Sequence, residues 1–411
     1  MQNKRLSIGT AAVLAAVSLT LLMTAARSAA QTETVLYNFT STGSAGISPN
    51  LSLAFDGSGN IYGTTTTAVF KLVPLAGGGW TERTLHVFRG TPDGSQPSGG
   101  VVLDASGNIY GLTIGGGRGN GGIAYELVRS ATGQYTEKIL HHFGRNQDGH
   151  TIFGTPTLDA AGNLYGATQL GRTDNVGTVF ELIPTPEGPW TEKILHDFTL
   201  GGDGTNPMVG VTFDAAGNLY GTTTSGGANS GGSAYRLSPQ TDGSWTETVV
   251  YSFPFIQPSS SSEPDDRLLL DKAGNIYGAT IYGGAHDAGV VYKLSPQADG
   301  SWTETILHSF NFNGTDGFNA FTGLIFDKAG NLYGATMSGG VHEGPNGNGT
   351  VFELSPQADG TWTESMLFSF DGTDGAGPQW GGLTMDASGN IYGGALGGGA
   401  NGGGVIFEIT P

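Results

Sequence analysis

The sequence predicts an all-β fold, a seven-bladed β-propeller with four strands in each blade. The first observation is the motif Asp-x-x-Gly-Asn-(Ile/Leu)-Tyr-Gly, which occurs seven times at intervals of roughly 50 residues, a period typical of propellers. Two other counts agree: seven segments resemble Val-Phe-Glu-Leu, and seven resemble Trp-Thr-Glu-x-Ile-Leu-His-x-Phe once an N-terminal segment is included. The motif copies begin at Asp56, Asp104, Asp159, Asp214, Asp271, Asp327 and Asp386.

The motif predicts a tight turn between the first two strands of each blade, which we call A and B. Its Asp is expected to accept hydrogen bonds from backbone N–H groups of the turn, where Gly and Asn tolerate positive φ angles. A ring of metal ligands is the alternative for seven regularly spaced acids, but the turn explains the residue type in every copy. The Gly of strand B is expected to leave room for an aromatic ring from the next sheet.

Strands C and D follow, and in the fourth repeat the four strands are predicted at 210–214, 218–223, 233–238 and 245–253. Strand C alternates apolar and polar residues with a period of two. Strand D begins with an aromatic residue followed by Thr-Glu. Four histidines share one position in strand D, which Tyr or Phe occupies in the other repeats, so we interpret them as scaffold residues: His86, His141, His196 and His308.

The two ends of the chain are complementary. Residues 32–39 precede any full repeat and match the D strand at 303–310 almost residue for residue. The last repeat ends with a C strand at 405–409 and lacks strand D. We therefore predict that residues 32–39 complete the last blade and close the ring, which leaves few exposed strand edges.

The first thirty residues are predicted to be a signal peptide. Lys4 and Arg5 form a positive start, residues 10–26 carry no charge, and small residues precede Gln31. An uncleaved membrane anchor is the alternative. After cleavage, residues 31–411 form one propeller domain. The chain contains 72 Gly and no Cys, so its stability must come from packing and ring closure rather than from disulfides.

The charge balance argues against two classes of partner. The chain has 17 basic and 35 acidic side chains, and loss of three basic residues with the signal peptide leaves 14 − 35 = −21. Nucleic acid and anionic membrane surfaces repel such a protein. We expect a monomer that acts in the periplasm or outside the cell and contacts no membrane once the signal is removed.

The combined motifs resemble a known repeat. Asp-x-x-Gly-Asn-Leu-Tyr-Gly-x-Thr, Gly-Gly, Gly-Thr-Val-Phe-Glu-Leu-Ser-Pro and Trp-Thr-Glu-x-Ile-Leu-His-x-Phe are similar to the Gloeo/Verruco (GloVer) tandem repeat of exported bacterial proteins. This resemblance implies a surface or extracellular location with varied anchoring segments, and it implies no activity. Because the sequence stops at Pro411 directly after a strand, with no hydrophobic tail, we expect release rather than surface attachment.

Identical repeats build the scaffold, so function is expected where the repeats differ. The B-to-C and D-to-A loops vary, and in a propeller they surround one mouth of the central channel. Aromatic residues there could bind sugar faces or a partner protein, or fold inwards and plug the channel. The position just before strand A reads Asn50, Ser98, Phe153, Met208, Asp265, Phe321 and Trp380. Our candidate binding residues are Trp380, Phe321, Phe153, Met208 and Arg118.

A second candidate site lies in the B-to-C loops of blades 5 and 6. Each loop carries a His followed by an acid, and an unusual loop containing Asp265 precedes blade 5. This set could bind a divalent metal or act as an acid/base pair. Solvated loop polarity is the commoner explanation, because a His-acid pair alone is a weak signal. The candidate catalytic residues are His286, Asp287, His342, Glu343 and Asp265.

Three functions follow from these observations. The leading hypothesis is an exported binding or scaffold module for carbohydrate or an extracellular protein. The second is an extracellular propeller enzyme, a lyase or hydrolase acting on a polysaccharide or another extracellular substrate, with a metal or acid/base site at blades 5 and 6. The third is a purely structural role with a plugged channel. No organic cofactor is expected, and a divalent metal is the one inorganic cofactor considered.

Overall fold

A computed structural model describes residues 31–145, 148–186, 188–255, 261–264, 267–342 and 347–410. The predicted signal peptide at residues 1–30 lies outside these ranges. Within them the chain forms β-strands, turns and a single short 3₁₀ helix at Thr173–Asn175. The same ranges contain no helix that is both long and apolar enough to cross a membrane.

The structure confirms a β-propeller of seven four-stranded antiparallel blades, each with strands in the order A-B-C-D from the centre outwards. The strand bounds, A to D, are Ala54–Phe55, Ile61–Thr64, Ala68–Pro74 and Trp80–Val87 in blade 1; Ser95–Leu103, Ile109–Gly115, Ile123–Arg129 and Tyr135–His142 in blade 2; Thr157–Leu158, Leu164–Thr168, Thr178–Ile183 and Thr191–Asp197 in blade 3; Thr212–Phe213, Leu219–Thr223, Ser230–Pro239 and Trp245–Pro254 in blade 4; Leu269–Leu270, Ile276–Thr280, Val290–Pro296 and Trp302–Ser309 in blade 5; Ile325–Phe326, Leu332–Thr336, Thr350–Pro356 and Trp362–Ser369 in blade 6; and Thr384–Met385, Ile391–Ala395, Val405–Thr410 and Thr32–Asn38 in blade 7.

Blade 7 is assembled from both ends of the chain, as predicted. Thr32–Asn38 pairs antiparallel with Val405–Thr410 in the four-stranded sheet. The backbone N–H of Phe39 donates to the carbonyl of Gly404 at 2.9 Å, and the Phe39 ring is buried. The first strand therefore supplies both an edge of blade 7 and part of its contact with blade 1.

Strand A is shorter than predicted in blade 4, where it covers Thr212–Phe213 rather than 210–214. The residues before it face neighbouring blades near the channel instead of strand B. The N–H of Gly100 donates to Thr155 Oγ1 of the next blade at 2.7 Å. Thr322–Gly323 likewise pairs in parallel with Gly381–Gly382 of blade 7. Crowding of seven strands at the centre thus replaces pairing within a blade by contacts between blades.

The repeated Asp forms the predicted turn. In blade 1, Asp56 Oδ1 accepts from the N–H groups of Ser58 and Asn60 at 2.9 and 3.1 Å. Its Oδ2 accepts from Asn60 Nδ2 at 2.7 Å and from the Tyr62 hydroxyl at 2.9 Å. Burial would raise the pKa of Asp56, but these hydrogen bonds outweigh it and lower that pKa to about 2. The Asp, Asn and Tyr of the motif are therefore held together by one network of hydrogen bonds.

The Gly of strand B makes room for an aromatic ring, but the ring belongs to strand C of the same blade, so the expectation of a ring from the next sheet was wrong. Gly166 lies directly opposite Phe180 in the sheet. A Cβ on Gly166 would lie 2.7 Å from Phe180 Cζ. The ring folds back over its own paired neighbour because it is also in contact with Phe143 of the preceding blade, at 4.9 Å between ring centroids.

The hydrophobic core is divided among the blade interfaces. One cluster joins Val351 and Phe370 of blade 6 to Ile391 and Phe407 of blade 7, and another joins Phe39 of blade 7 to Phe70 of blade 1. The rings of Phe39 and Phe70 meet edge to face at 5.1 Å between centroids. Since each interface resembles the next, an open ring would expose one such interface to water.

Truncation of the chain tests closure. A protein that begins at residue 40 lacks the strand Thr32–Asn38 and the buried Phe39. We expect its melting temperature to fall by at least about 5 °C, because an edge of blade 7 and one blade interface become exposed. A protein that begins at Thr32 is the control and should melt like the mature chain. Equal melting temperatures for the two truncated proteins would contradict closure by this strand.

The Gly166→Ala variant tests the packing of aromatic rings over strand B. We expect it to destabilise the protein by about 1–3 kcal/mol, because the new methyl group overlaps the Phe180 ring. Gly57→Ala is the matched control, since a Cβ there has no atom within 4 Å. Denaturant unfolding measures both, and equal stabilities of the two variants would show that the ring does not require this glycine.

Candidate binding site at the channel mouth

The variable loops lie together on one side of the ring, which we call the loop face. Within a blade, the D-to-A loop pairs with the B-to-C loop: Thr205 bridges Ser225, and Ala376 bridges Gly397. In blade 6 the same contact forms two short strands, Gly317–Phe318 and Ser338–Gly339. Both kinds of variable loop therefore surround the same mouth of the central channel.

The channel contains a cavity of about 850 Å³. Its wall is formed by strand A and the residues before it, contributed by all seven blades. Three of the predicted binding residues line it: Phe153, Met208 and Trp380. Ligand pockets of roughly 300–1,000 Å³ with mainly apolar walls and a few polar groups are the usual form of small-molecule sites.

Trp380 has an unusual backbone. Its φ angle is 60°, in the left-handed region that bulky residues avoid, and 50% of the residue is exposed. Blade 7 has one extra residue before strand A, and the Trp380 N–H donates to the carbonyl of Phe321 at 3.2 Å. Such strain costs on the order of 1–3 kcal/mol and is concentrated at functional sites. Half of the residue remains in contact with water and is open to a ligand.

The other candidate binding residues occupy different places. Phe321 is partly buried and lies outside the cavity wall, which it supports through its carbonyl. Arg118 is exposed on the loop face away from the cavity. Asn50 lines the cavity but is buried, with its side-chain amide donating to Thr64 Oγ1 at 2.6 Å. Asp265 lies outside the described residues.

The structure does not test the predicted metal or acid/base site on blades 5 and 6. His286 and His342 are exposed, and Glu343 and Asp265 lie outside the described residues. Asp287 is exposed, and its carboxylate accepts from the N–H of Gly283 at 2.9 Å, which gives it a local role in its turn. Metal binding there stays a prediction.

Sequence analysis missed Arg267, whose charged side chain lies in the cavity wall. It is the one Asp, Glu, Lys, Arg or His among the described residues that line the cavity. The available signal is its position, four residues before the turn Asp, where the other blades carry only Gly, Ser or Thr.

Exposed apolar residues are concentrated on the loop face. Nine large hydrophobic residues of the described chain are exposed, and only Leu75 and Val128 belong to C-to-D hairpins on the opposite face. The other seven lie in D-to-A or B-to-C loops, and most of these belong to the second half of the ring. They are Ile47, Leu200, Phe255, Tyr282, Phe312, Val341 and Trp380. This asymmetry indicates an interaction surface.

The strand D histidines form clusters between blades that sequence analysis missed. His86 Nε2 lies 2.9 Å from Asp93 and 3.8 Å from Glu137 of the next blade. His141, Asp148 and Glu192 repeat this arrangement, and within each trio the ligand atoms lie within 4.8 Å of one another. The glutamates come from the Thr-Glu pair that opens strand D. The His and carboxylate atoms that join neighbouring blades are the same atoms that would bind a metal ion. The sequence signal for these trios is the fixed spacing of His, Asp-Gly and Thr-Glu in the repeats.

The glutamates of these blade interfaces have pKa values well above the ordinary range of a glutamate. Burial, together with the charge of Asp93, raises the pKa of Glu137 to about 8. Burial likewise raises the pKa of Glu33, Glu192, Glu247 and Glu364 to about 7 in each case. The protonated glutamates stabilise the fold fully below their unfolded pKa of about 4.5, and this contribution is lost as pH rises through 7 to 8.

These pKa values predict that the folded protein is most stable at about pH 5. Below it the turn aspartates lose stabilisation, because the folded pKa of Asp56 is lowered to about 2, and above it the interface glutamates ionise. We expect the melting temperature to fall between pH 5 and pH 8, and to fall less in Glu137→Gln. The control is Glu304→Gln, where Tyr251 replaces the histidine and its hydroxyl donates to the carboxylate at 3.0 Å. A Glu137→Gln profile identical to wild type would contradict this account.

The geometry defines the class of protein: a closed seven-bladed propeller with a pocket in its channel and a variable, partly apolar loop face. The chain belongs to the Gloeobacter/Verrucomicrobia repeat family, whose model matches residues 66–264 and 248–411. No curated protein sequence matches this chain.

Solved structures with the same fold are distant in sequence. Virginiamycin B lyase from Staphylococcus aureus is 14% identical, with a TM-score of 0.53, and the match covers 93% of this chain and 99% of that one. The extracellular domain of the hybrid two-component system BT4673 of B. thetaiotaomicron is 12% identical, with a TM-score of 0.57 over 92% of this chain and 39% of that one. The extracellular domain of BT3049 of the same organism is 14% identical, with a TM-score of 0.53 over 92% and 41%. The chain thus spans about two fifths of those two sensor chains, and the likeness shows the fold alone.

Proposed function

We propose that the protein is an exported carbohydrate-binding module whose site is the mouth of the central channel. The observation that carries this proposal is Trp380, a half-exposed indole held in a left-handed backbone conformation at the edge of the channel cavity. Aromatic faces in such a position pack against the apolar faces of sugar rings. Export is supported by the predicted signal peptide and by the fold shared with extracellular domains.

The composition of the cavity wall suits a sugar. Phe153, Met208 and Trp380 supply apolar surface at the mouth, while Gln96 and Thr155 supply polar groups on the wall. A sugar needs both, since its hydroxyl groups require hydrogen-bond partners when they leave water. The volume of about 850 Å³ accommodates a short oligosaccharide rather than a single small ion.

A protein ligand is the second candidate, and a separate observation favours it. Leu200, Phe255 and Phe312 are 72%, 55% and 60% exposed on the loop face, and none of them lines the cavity. Apolar residues grouped outside a pocket are typical of protein contact surfaces. Such a partner would cover blades 4 to 6 instead of entering the channel.

The Trp380→Gly variant tests the carbohydrate site. Glycine accepts the left-handed backbone without strain, so we expect no loss of melting temperature. A glycan array identifies a ligand, and calorimetry should then show an affinity at least about tenfold weaker than wild type, equivalent to about 1.4 kcal/mol. The matched control is Phe312→Ala, an exposed aromatic residue of the same face outside the cavity, which should bind like wild type.

Two outcomes would contradict the proposal. Unchanged glycan affinity in Trp380→Gly would exclude the indole from the site. Absence of any glycan ligand, together with capture of a protein that Phe312→Ala abolishes, would favour the protein-binding alternative.

A further inference from the structure

Arg267 interrupts a ring of small residues around the channel. Four positions before the turn Asp, each blade contributes one residue at the centre, just before strand A or, for Gly100, within it. These residues are Ser52, Gly100, Thr155, Gly210, Arg267, Gly323 and Gly382. All of these except Gly100 line the cavity. The small residues of six blades therefore leave the channel wide at this position of the repeat. Blade 5 differs, because Arg267 places a long side chain in the cavity wall there.

The guanidinium is fixed in place by neutral acceptors from two other blades. Arg267 Nε donates to Thr212 Oγ1 at 3.2 Å, and its Nη2 donates to Thr157 Oγ1 at 3.0 Å and to the Val211 carbonyl at 3.5 Å. Both hydroxyls donate their own protons onwards, Thr157 to the Val211 carbonyl and Thr212 to that of Leu268. They can therefore accept from Arg267, and the orientation of the planar group is set before any ligand binds.

Within the described residues, no carboxylate balances the charge of Arg267. No Asp or Glu of these residues forms an ion pair with it, and none lines the cavity. Its sequence neighbours Asp265 and Asp266 lie outside the described residues. Arg267 is partly buried, and burial lowers the pKa of its side chain, yet an arginine stays protonated in proteins. Removing a cation from water without a counterion is costly, and such groups are normally paired.

The remaining donors of Arg267 point to a ligand group. The two acceptors of Nη2 are bonded to each other, so a single Nη2 N–H group can reach both. Nη1 donates to no acceptor within the described residues, so the Nη1 and Nη2 end can offer two parallel N–H groups. A carboxylate matches two such groups in a planar, bidentate arrangement. One guanidinium balances one negative charge, which suits a carboxylate better than a doubly charged phosphate.

We propose that Arg267 binds the carboxylate of a uronic acid unit in the carbohydrate held at the channel mouth. This inference rests on the proposed function and specifies its ligand class. The sugar ring packs near Trp380 and Phe153, and the acid reaches the wall at Arg267, which lines the same cavity. The negative surface of the protein would oppose the approach of a polyanion, so recognition depends on this cation in the cavity wall.

Calorimetry with matched uronates tests the assignment. The probes are oligogalacturonate and oligomannuronate, each compared with its methyl ester, which keeps the sugar but removes the charge. We expect wild type to bind at least one acid form tenfold or more tightly than its ester. Arg267→Gln should remove this preference, and Arg267→Lys should reduce it by losing the bidentate fork. Arg89→Gln changes an exposed arginine of the same face outside the cavity; it is the control and should keep the preference.

A second measurement does not depend on the choice of oligosaccharide. The ¹⁵N-labelled guanidinium resonances of Arg267, assigned by their loss in Arg267→Lys, should shift on addition of D-glucuronate and stay unchanged with its methyl ester. Glucose 6-sulfate is the competing anion. Absence of a shift with glucuronate, or a larger shift with the sulfate, would overturn the inference.

The outcomes separate this inference from the proposed function. Neutral oligosaccharides that bind in a Trp380-dependent manner, with no preference for acid forms, would overturn the role of Arg267 and leave the carbohydrate site intact. Uronate binding that requires Arg267 but is unchanged in Trp380→Gly would support the anion site and contradict the aromatic one.

Discussion

Pairing of the first strand with the last is the interaction on which the rest of the structure depends. Thr32–Asn38 pairs with residues far away in the sequence: 410 − 32 = 378 positions separate Thr32 from Thr410, and 405 − 38 = 367 positions separate Asn38 from Val405. Without it the remaining 27 blade strands could stack, but the last interface would stay open. The channel and its cavity exist only when seven blades meet, so closure also creates the candidate site.

The repeats divide into conserved geometry and local departures from it. The turn Asp, the Asn and the Tyr bond to one another in the same way from blade to blade, as Asp56 does with Asn60 and Tyr62. This network fixes strand A relative to strand B, and it contributes no chemistry at the channel. Trp380 and Arg267 are departures at positions where other blades have different residues, and both line the cavity. Function is therefore best sought by comparing the blades of this chain with each other.

Much of the fold could be predicted from the sequence because its signals are local and repeated seven times. The Asp turn and the match between 32–39 and 303–310 required no three-dimensional information. The partner of Gly166 was misassigned because a motif does not reveal whether a ring turns towards its own sheet or the next. The interface role of Glu137 was missed for a related reason, since it meets His86 only when two blades pack.

The site was predicted less completely than the fold. Aromatic residues before strand A were found by alignment of the repeats, yet Phe321 lies outside the cavity while Phe153 and Trp380 line it, which the alignment does not distinguish. Arg267 was missed because partial burial in the cavity wall, with no carboxylate partner among the described residues, makes an arginine notable, and residue type alone does not. Such burial depends on the closed channel and cannot be inferred from local sequence.

The central claim is that the channel mouth holds an acidic sugar between Trp380 and Arg267. A crystal structure of the protein with an oligouronate tests it most directly. We expect a sugar ring packed against the Trp380 indole and a carboxylate within hydrogen-bond distance of Arg267 Nη1 and Nη2. An oligosaccharide bound elsewhere on the loop face, with the cavity filled by water alone, would contradict it.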